Sequence, residues 1–511
     1  MMEYTRSVRK TSQYCLVVGL GAILFGLDQG CISGLFAVPK FIQDFGTFEP
    51  SLATHIITAN GQTLLFGTLL AGTIIACVVS GPIGSRLGRK AGLYYCIITS
   101  IIGPIIQIVS PNVGVACLGR IFSGAGIGFA ANFCIMYWAE VTPATYRGMI
   151  VMMYQGLINL AQFVGACINE GTHNIPNKWA WRAPLMSMLS APLVMLAFLP
   201  FIPDTPRWFV HRNRIDEAHL AMRKIRGKTW SEDDVTEEIR QVVAMDCIER
   251  ELEGSSSYWD CFKGSDHRRT RIAILTLVVQ QFTGISFISG YGTYFFSVSG
   301  ISNPFTITVI TSVCGLAGSI SAFPLVKYFG RRPLLIVGGI ASALSMLIFA
   351  IVGVALPNSV VAARCLAAFV CTYLFTYGAT WGPIPQAIIG EIPSNRLRSR
   401  TVSLATSVNW MCTLFIICGS PYLLSPLYIN LGTKLGFIFG GCTILGTIWV
   451  FFELPETKDR TLEEIDEMFL NRVPARKFSE YVSTGQVGQL NAGKMALDKE
   501  EVDEVQRVDH T

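Results

Sequence analysis

The first apolar segment of the chain contains a carboxylate where a membrane-spanning helix would normally have none. Asp28 lies in the stretch FGLDQG, within the apolar run from Tyr14 to Phe41. A charge at the centre of a bilayer costs roughly 2.5–3.5 kcal/mol even on the lenient insertion scale. Arg120, at the start of the fourth apolar segment, is the candidate partner. Two interpretations follow: a permanent ion pair that holds helices together, or a proton switch, because burial disfavours the carboxylate while an arginine favours it.

Amide side chains are the second group that could recognise a ligand, because each has a hydrogen-bond donor and an acceptor. At 100° per residue, the fifth segment places three amides on one face, and the seventh places Tyr291 near Gln280. An amide that faces lipid unpaired would cost several kcal/mol, so these side chains must face protein or a watery cavity. An interhelical hydrogen bond that only stabilises the bundle is the alternative. The side chains concerned are Gln155, Asn159, Gln162, Gln280, Gln281, Tyr291 and Asn409, with Trp410 beside the last.

The tenth apolar segment contains the sequence WGPIP. Pro383 and Pro385 remove backbone donors and break a helix, and Gly382 precedes them. Broken helices occur at membrane depth only against protein or a cavity. We interpret Gly382, Pro383 and Pro385 as a gate on the path to a central site, with a static kink as the alternative.

The composition indicates which elements position these side chains. The chain of 511 residues is 51% hydrophobic and 15% charged, with a mean hydropathy of +0.46, whereas soluble domains carry about a quarter charged residues. A spanning helix needs roughly 20 apolar residues, and a scan with that window gives about twelve spans. They begin near Tyr14, Gly61, Ala91, Val113, Met149, Pro184, Ile272, Phe305, Leu334, Ala362, Thr401 and Gly436.

The loops between the spans set the orientation. Lys and Arg residues concentrate in alternate loops, so the positive-inside rule predicts that both termini and the long middle loop are cytoplasmic. We expect a cytoplasmic N-terminus (1–13), a first six-helix bundle (14–203), a helical loop (204–270), a second bundle (271–453) and a cytoplasmic tail (454–511). The net charge of +5 says nothing about nucleic acid, and we expect none as a partner.

The sequence carries no enzymatic signature. It contains neither HExxH nor G-x-S-x-G, and its 15 cysteines are scattered without the spacing of a metal site. We therefore expect no catalytic activity, no metal and no cofactor. The two halves instead repeat each other: a glutamate precedes an arginine by seven residues after span four (Glu140, Arg147) and after span ten (Glu391, Arg398). Such a repeat is typical of a transporter scaffold with its site between the halves.

The motifs FGLDQGCISG, GSRLGRK, AEVTPATYRG, PDTPRW, QQFTGI, GRRP and PETKDRT, in this order, resemble the sugar-porter branch of the major facilitator superfamily over nearly all of residues 10–470. The resemblance implies an all-α membrane protein with the major facilitator fold. This fold has 12 transmembrane helices in two six-helix bundles, with a cytoplasmic helical loop domain between them. It also implies alternating access, in which the bundles rock about a central site.

The resemblance further implies roles for single residues. It aligns Gln155, Gln280, Gln281, Asn409 and Trp410 with sugar-contacting positions, and proton-coupled members have an aspartate at the place of Asp28. A cytoplasmic latch of the outward-open state is implied for Arg89, Glu140, Arg147, Arg331, Glu391 and Arg398.

The sequence thus predicts a proton-coupled carrier of a sugar in the plasma membrane, surrounded by lipid and functional as a monomer. A sugar sensor on the same scaffold is one alternative, although the short tail favours transport. A carrier of a non-sugar polyhydroxylated metabolite, for example a quinate-like acid, is another. It stays open because Ser286 and Gly315 stand where many hexose carriers have asparagine.

Overall fold

The computed structural model describes residues 2–50, 54–142, 144–227, 230–254, 257–298, 303–356, 359–394, 396–425, 427–458, 460, 462–478 and 481. These residues form twenty α-helices and one antiparallel pair of short strands. The elements up to the middle of the chain are α1 (Met2–Leu35), α2 (Pro39–Phe45), β1 (Thr47–Glu49), β2 (Thr54–Ile56), α3 (Ala59–Leu87), α4 (Arg89–Val109), α5 (Val113–Val141), α6 (Ala144–Thr172), α7 (Trp179–Ser187), α8 (Ser190–Phe198), α9 (Pro206–His211), α10 (Ile215–Arg226) and α11 (Glu232–Gly254). The remaining helices are α12 (Gly264–Phe282), α13 (Ile285–Val298), α14 (Pro304–Phe329), α15 (Arg331–Ala355), α16 (Val360–Ala379), α17 (Ile384–Glu391), α18 (Arg398–Leu424), α19 (Leu435–Glu453) and α20 (Leu462–Leu470).

Most of these helices are long and apolar. Within the described residues, 11 helices or helix pairs have the length and hydropathy needed to cross a membrane. Helix α6 occupies the place of the predicted fifth span and has 29 residues, but its amides and Glu170 lower its hydropathy. Counting α6, the structure contains the twelve predicted spans.

Glycines set the close approach of the first helix to the fifth span. A Cβ atom at Gly26 would lie 2.2 Å from the carbonyl oxygen of Ile158, and one at Gly30 would lie 2.5 Å from that of Gln162. Such small-residue stripes allow helix backbones to touch in a bilayer. Helix α1 therefore packs tightly along α6, and this packing fixes the direction in which Asp28 points.

Three spans are interrupted. The sixth changes from α7 to α8, the seventh breaks between α12 and α13, and the tenth breaks between α16 and α17. At the seventh, Gly284 has φ +96°, a conformation that favours glycine. At the tenth, the two prolines remove backbone donors, and residues 380–383 separate the helices.

The long middle loop contains the helices α9, α10 and α11, in line with the helical loop expected over 204–270. Ala218 and Met222 of α10 form a small buried cluster with Val235 and Ile239 of α11. Arg226 connects this cluster to the membrane helices, because its Nη1 donates to the carbonyl of Val141 at the end of α5 (3.2 Å). The predicted bundle boundaries at 203/204, 270/271 and 453/454 stay predictions, although α19 ends at Glu453.

Candidate functional site

Asp28 and Arg120 form a buried ion pair inside the first half of the protein. An Oδ1 atom of Asp28 accepts from Nη1 of Arg120 at 2.5 Å, and the two side chains are 5% and 1% exposed. Nε of Arg120 donates to the carbonyl of Leu65 (3.2 Å). The carboxylate thus has the partner that the sequence suggested, in a region from which water is largely excluded.

The amides of α6 face the second half. Nε2 of Gln155 donates to Oδ1 of Asn159 (3.3 Å), and Nδ2 of Asn159 donates to the hydroxyl of Ser319 on α14. Gln162 is half-buried, with its backbone against Gly30. Two of the three predicted amides therefore form a polar connection between the halves.

The second half contributes a chain of amides and hydroxyls. Nε2 of Gln281 donates to Oδ1 of Asn409 (2.9 Å), and the hydroxyl of Ser286 donates to Oε1 of Gln281 (2.5 Å). The ring of Trp410 lies 6.2 Å from the ring of Phe25 across the interface of the halves. Each of these amides retains further hydrogen-bonding capacity for a hydroxylated solute.

Gln280 has a different position from its neighbour. Its Nε2 donates to the carbonyls of Trp381 (2.7 Å) and Gly382 (3.2 Å), which the break in the tenth span leaves without helical partners. The prediction that placed Tyr291 beside Gln280 assumed one continuous helix, and the break at Gly284 invalidates that arithmetic. The structure thus joins Gln280 to the predicted gate around Pro383 and Pro385, and separates it from Tyr291.

Tyr291 belongs to an aromatic plug between the halves. Its ring lies 4.9 Å from that of Phe66 and 6.2 Å from that of Phe36. Its hydroxyl donates to the carbonyl of Ile417 (3.1 Å), and the side chain is fully buried. The plug closes the interface on the side away from the helices of the middle loop.

A second closing contact on that side escaped the sequence analysis. The hydroxyl of Thr306 donates to Oε1 of Glu170 (2.9 Å), and the ring of His173 stacks on Phe305 with centroids 4.3 Å apart. Glu170 lies in the last turn of α6 and His173 directly follows this helix, whereas Phe305 and Thr306 lie in the first turn of α14. No local signal marks them, since an acid and a histidine at a helix end are ordinary surface residues.

The latch residues form one cluster in each half. Nη2 of Arg89 donates to Glu140 (2.7 Å), and its Nε contacts both carboxylate oxygens at 3.0 Å. In the second half, Nη2 of Arg331 donates to Glu391 (2.7 Å), which also accepts from the hydroxyl of Thr457 (2.6 Å). Both pairs join helices of the same half.

The other two latch candidates are Arg398 and Arg147. Arg398 is half-buried at the first residue of α18. The side chain of Arg147 lies outside the described residues.

Two acids that cap helices were missed. Asp204 accepts from the first two backbone N–H groups of α4 at 3.1 and 3.3 Å, and Glu456 accepts from those of α15 at 3.0 and 2.9 Å. Burial raises the pKa of the Asp204 carboxyl above its ordinary value, although three backbone donors oppose the shift. The repeat of PDT after span six and PET after span twelve is the signal that could have revealed these caps.

The described residues contain no group of three or more His, Cys, Asp or Glu side chains that could hold a metal ion. The site combines amide and hydroxyl groups, a buried ion pair and breaks in the seventh and tenth spans.

Comparison with known proteins places this arrangement in context. A model of the family "Sugar (and other) transporter" matches residues 14–469. The low-affinity glucose transporter HXT3 of Saccharomyces cerevisiae is 32% identical over 93% of this chain and 84% of its own length. The major facilitator-type transporter ecdD of Aspergillus rugulosus is 31% identical over 90% of this chain and 87% of its own. The inward-open xylose transporter XylE from E. coli superposes with a TM-score of 0.72 at 23% identity, covering 90% of this chain and 99% of that one.

Proposed function

The chain belongs to the sugar transporter family of the major facilitator superfamily, and we propose that it carries a neutral sugar across a membrane by alternating access, together with a proton. The observation that supports this proposal is that the two sides of the central interface carry different polar groups. A buried ion pair lies on one side, and a chain of amides and hydroxyls lies on the other.

The amide chain supports a hydroxylated, uncharged substrate. Amides and hydroxyls can donate to and accept from each hydroxyl of a sugar, and Trp410 offers an aromatic face to the C–H groups of a ring. The glucose transporter HXT3 among the relatives supports a hexose. We assign Gln155, Asn159, Gln162, Gln281 and Asn409 to the substrate, with Gln280 and Tyr291 acting on the gates beside it.

The Asp28–Arg120 pair supports proton coupling. A protonated Asp28 loses its attraction to Arg120, so α1 and α5 are held together differently in the two protonation states. Such a change can bias the rocking of the halves. Each proton supplies about 2.3 kcal/mol per 100 mV of membrane potential, which is enough to concentrate a solute. The structural relative XylE is described as a proton:xylose symporter.

The contacts between the halves support an inward-facing state. The plug around Tyr291 and the Glu170–Thr306 pair close one side, and the described latch pairs stay within single halves on the other. We infer that the middle-loop side and both termini are cytoplasmic, that the protein acts as a monomer in lipid, and that it lies in the plasma membrane.

A second candidate substrate is a polyhydroxylated metabolite other than a sugar. A Cβ atom at Gly315 would meet its first neighbour, Leu374, only at 3.9 Å, so this position leaves room beside Ser319. Ser286 has a shorter side chain than asparagine, and its hydroxyl donates to Gln281.

Uptake of labelled D-glucose, maltose and quinate in cells that lack their own transporters, with and without a protonophore, tests these assignments. We expect saturable D-glucose uptake against a gradient that the protonophore abolishes. Uptake of quinate alone would select the second candidate. Binding of D-glucose without any flux would support the sensor alternative and overturn the carrier proposal.

A further inference from the structure

Arg120 contacts α3 twice, next to the ion pair. Its Nε donates to the carbonyl of Leu65 (3.2 Å), and its guanidinium carbon lies over the ring of Phe66, 5.9 Å from the ring centre. A cation at this distance is attracted by the π-electrons of the ring, and more strongly where water is excluded. Phe66 is 4% exposed and Arg120 is 1% exposed. The guanidinium is therefore attracted by two groups at once, the carboxylate of Asp28 on α1 and the ring of Phe66 on α3.

Phe66 also belongs to the aromatic plug between the halves. Its ring lies 4.9 Å from that of Tyr291 and 5.6 Å from that of Phe36. A Cβ atom at Gly290 would lie 3.5 Å from Cζ of Phe66, so the ring also packs against the backbone of α13. Tyr291 and Gly290 belong to the second half, whereas Phe66 and Arg120 belong to the first. Phe66 thus contacts the ion pair and the plug at the same time.

Helix α18 of the second half holds α3 and the plug on neighbouring peptide groups. The hydroxyl of Thr63 on α3 donates to the carbonyl of Cys418 (3.0 Å), and the hydroxyl of Tyr291 donates to the carbonyl of Ile417 (3.1 Å). A displacement of α3 relative to α18 would therefore change the packing of Phe66 against Tyr291.

The other rings of the plug lack the contact with the charge. Among the described residues, the guanidinium of Arg120 lies over the ring of Phe66 and over neither Phe36 nor Tyr291. Phe36 follows the last residue of α1 and contacts only the rings of Phe66, Tyr291 and Phe41. The plug thus contains one ring that can respond to the charge of the ion pair and one neighbour that cannot do so directly.

We propose that Phe66 is a positioning residue that couples the protonation of Asp28 to the aromatic plug. The inference rests on the proton coupling proposed above. While Asp28 is ionised, its carboxylate competes with the ring of Phe66 for the guanidinium of Arg120. When Asp28 carries the transported proton, this competition is lost, and the guanidinium is held by the ring and by α3. Protonation therefore draws Phe66 toward Arg120 and away from Tyr291, which loosens the plug.

Phe66→Leu tests the proposal, because leucine keeps an apolar side chain but offers no π-electrons to the guanidinium. In proteoliposomes we would measure D-glucose counterflow at acidic and at neutral pH, and D-glucose accumulation driven by a proton gradient. In the wild type, we expect counterflow to be faster at acidic pH. In Phe66→Leu, we expect counterflow to continue with little pH dependence. The accumulation ratio should fall by about fivefold or more, the lower end of the usual coupling between two sites.

Phe36→Leu is the matched control, because it removes a ring from the same plug and leaves Phe66 over Arg120. It should keep the pH dependence of counterflow and the accumulation ratio of the wild type. A ring-fluorinated phenylalanine in place of Phe66 has nearly the same shape but attracts a cation less. It should weaken the pH dependence while the melting temperature in detergent stays that of the wild type.

Three results would overturn the role of Phe66 and leave proton coupling in place. These are a wild-type pH dependence in Phe66→Leu, an equal loss in Phe66→Leu and Phe36→Leu, or an unchanged pH dependence in the fluorinated variant. The fluorinated variant alone decides the question if Phe66→Leu does not fold. A wild type that neither accumulates D-glucose nor responds to pH would instead overturn proton coupling itself.

Discussion

The two halves of the protein contain the same number of spans around one interface, but their polar side chains differ. In the first half, the glycine stripe of α1 lets its backbone touch α6, and the resulting tight packing buries Asp28 against Arg120. In the second half, the seventh and tenth spans are both broken where they meet, and Gln280 connects the two breaks.

The difference shows that a break in a span determines which polar side chains must lie beside it. An unbroken helix satisfies its own backbone groups, so its neighbours need not supply donors or acceptors for its backbone. A broken helix leaves carbonyls without partners, so amides must lie nearby to donate to them. In the second half Gln280 donates to such carbonyls, whereas Gln281 and Asn409 form the amide chain assigned to the solute. The first half holds the ion pair assigned to proton coupling.

The largest expected effect would come from Asp28→Asn. A carboxamide cannot take up a proton, so a membrane potential of 100 mV would no longer supply its 2.3 kcal/mol, equivalent to a concentration ratio of roughly fiftyfold. We expect uptake of labelled D-glucose to stop at equilibrium while counterflow continues. Asn409→Ser in the second half should keep accumulation and weaken affinity. Normal accumulation by Asp28→Asn would remove the contrast between the halves.

Gln281→Ala should raise the half-saturation concentration. The change removes a substrate contact and leaves Ser286 and Asn409 without their partner, a loss of about 1–3 kcal/mol or roughly 5- to 150-fold. Gln155→Ala should have a smaller effect, since Gln155 contacts Asn159 at only 3.3 Å. Initial rates over a range of D-glucose concentrations measure both. Equal effects would place recognition evenly across the two halves.

Gln280→Leu separates the two neighbouring glutamines. Leucine has a similar size but cannot donate to the carbonyls of Trp381 and Gly382, which would lower the free energy of unfolding by about 1–3 kcal/mol. We expect a lower melting temperature in detergent and a reduced maximal rate, with a half-saturation concentration within about twofold of the wild type. A large rise in that concentration with unchanged stability would instead assign Gln280 to the substrate.

The smallest effects would come from the two helix caps. Asp204→Ala and Glu456→Ala should each lower the free energy of unfolding by about 1 kcal/mol, the usual contribution of an N-terminal cap. Similar losses would show that the halves share this device although their interiors differ. A loss of stability in only one of the two variants would show that capping by a distant acid stabilises only one half.

Asp204 also gives a pH dependence of known sign. Burial raises its pKa, so the folded protein holds the proton more tightly than the unfolded chain does. The stability of the wild type relative to Asp204→Ala should therefore increase as the pH falls through the raised value, and level off below the ordinary aspartate value of about 3.9. Melting temperatures measured across that interval test the sign, and a wild type that loses relative stability on acidification would contradict it.

Sequence by itself determined the membrane class, the twelve spans and the two-half repeat, because hydropathy and charge act locally along the chain. It also singled out Asp28 with Arg120, since a charge within an apolar span needs a partner. The helices of the middle loop were equally predictable, because their apolar residues recur with the helical period.

Only the tertiary structure decided what each amide contacts. Gln280 and Gln281 are adjacent in sequence, yet one donates to a broken backbone and the other to Asn409, because the break at Gly284 and the packing of the tenth span set their surroundings. The Glu170–Thr306 contact likewise depends on segments far apart in the chain, whereas the repeated PDT and PET motifs already marked the caps Asp204 and Glu456. Local pattern contains no information about such distances, which packing alone establishes.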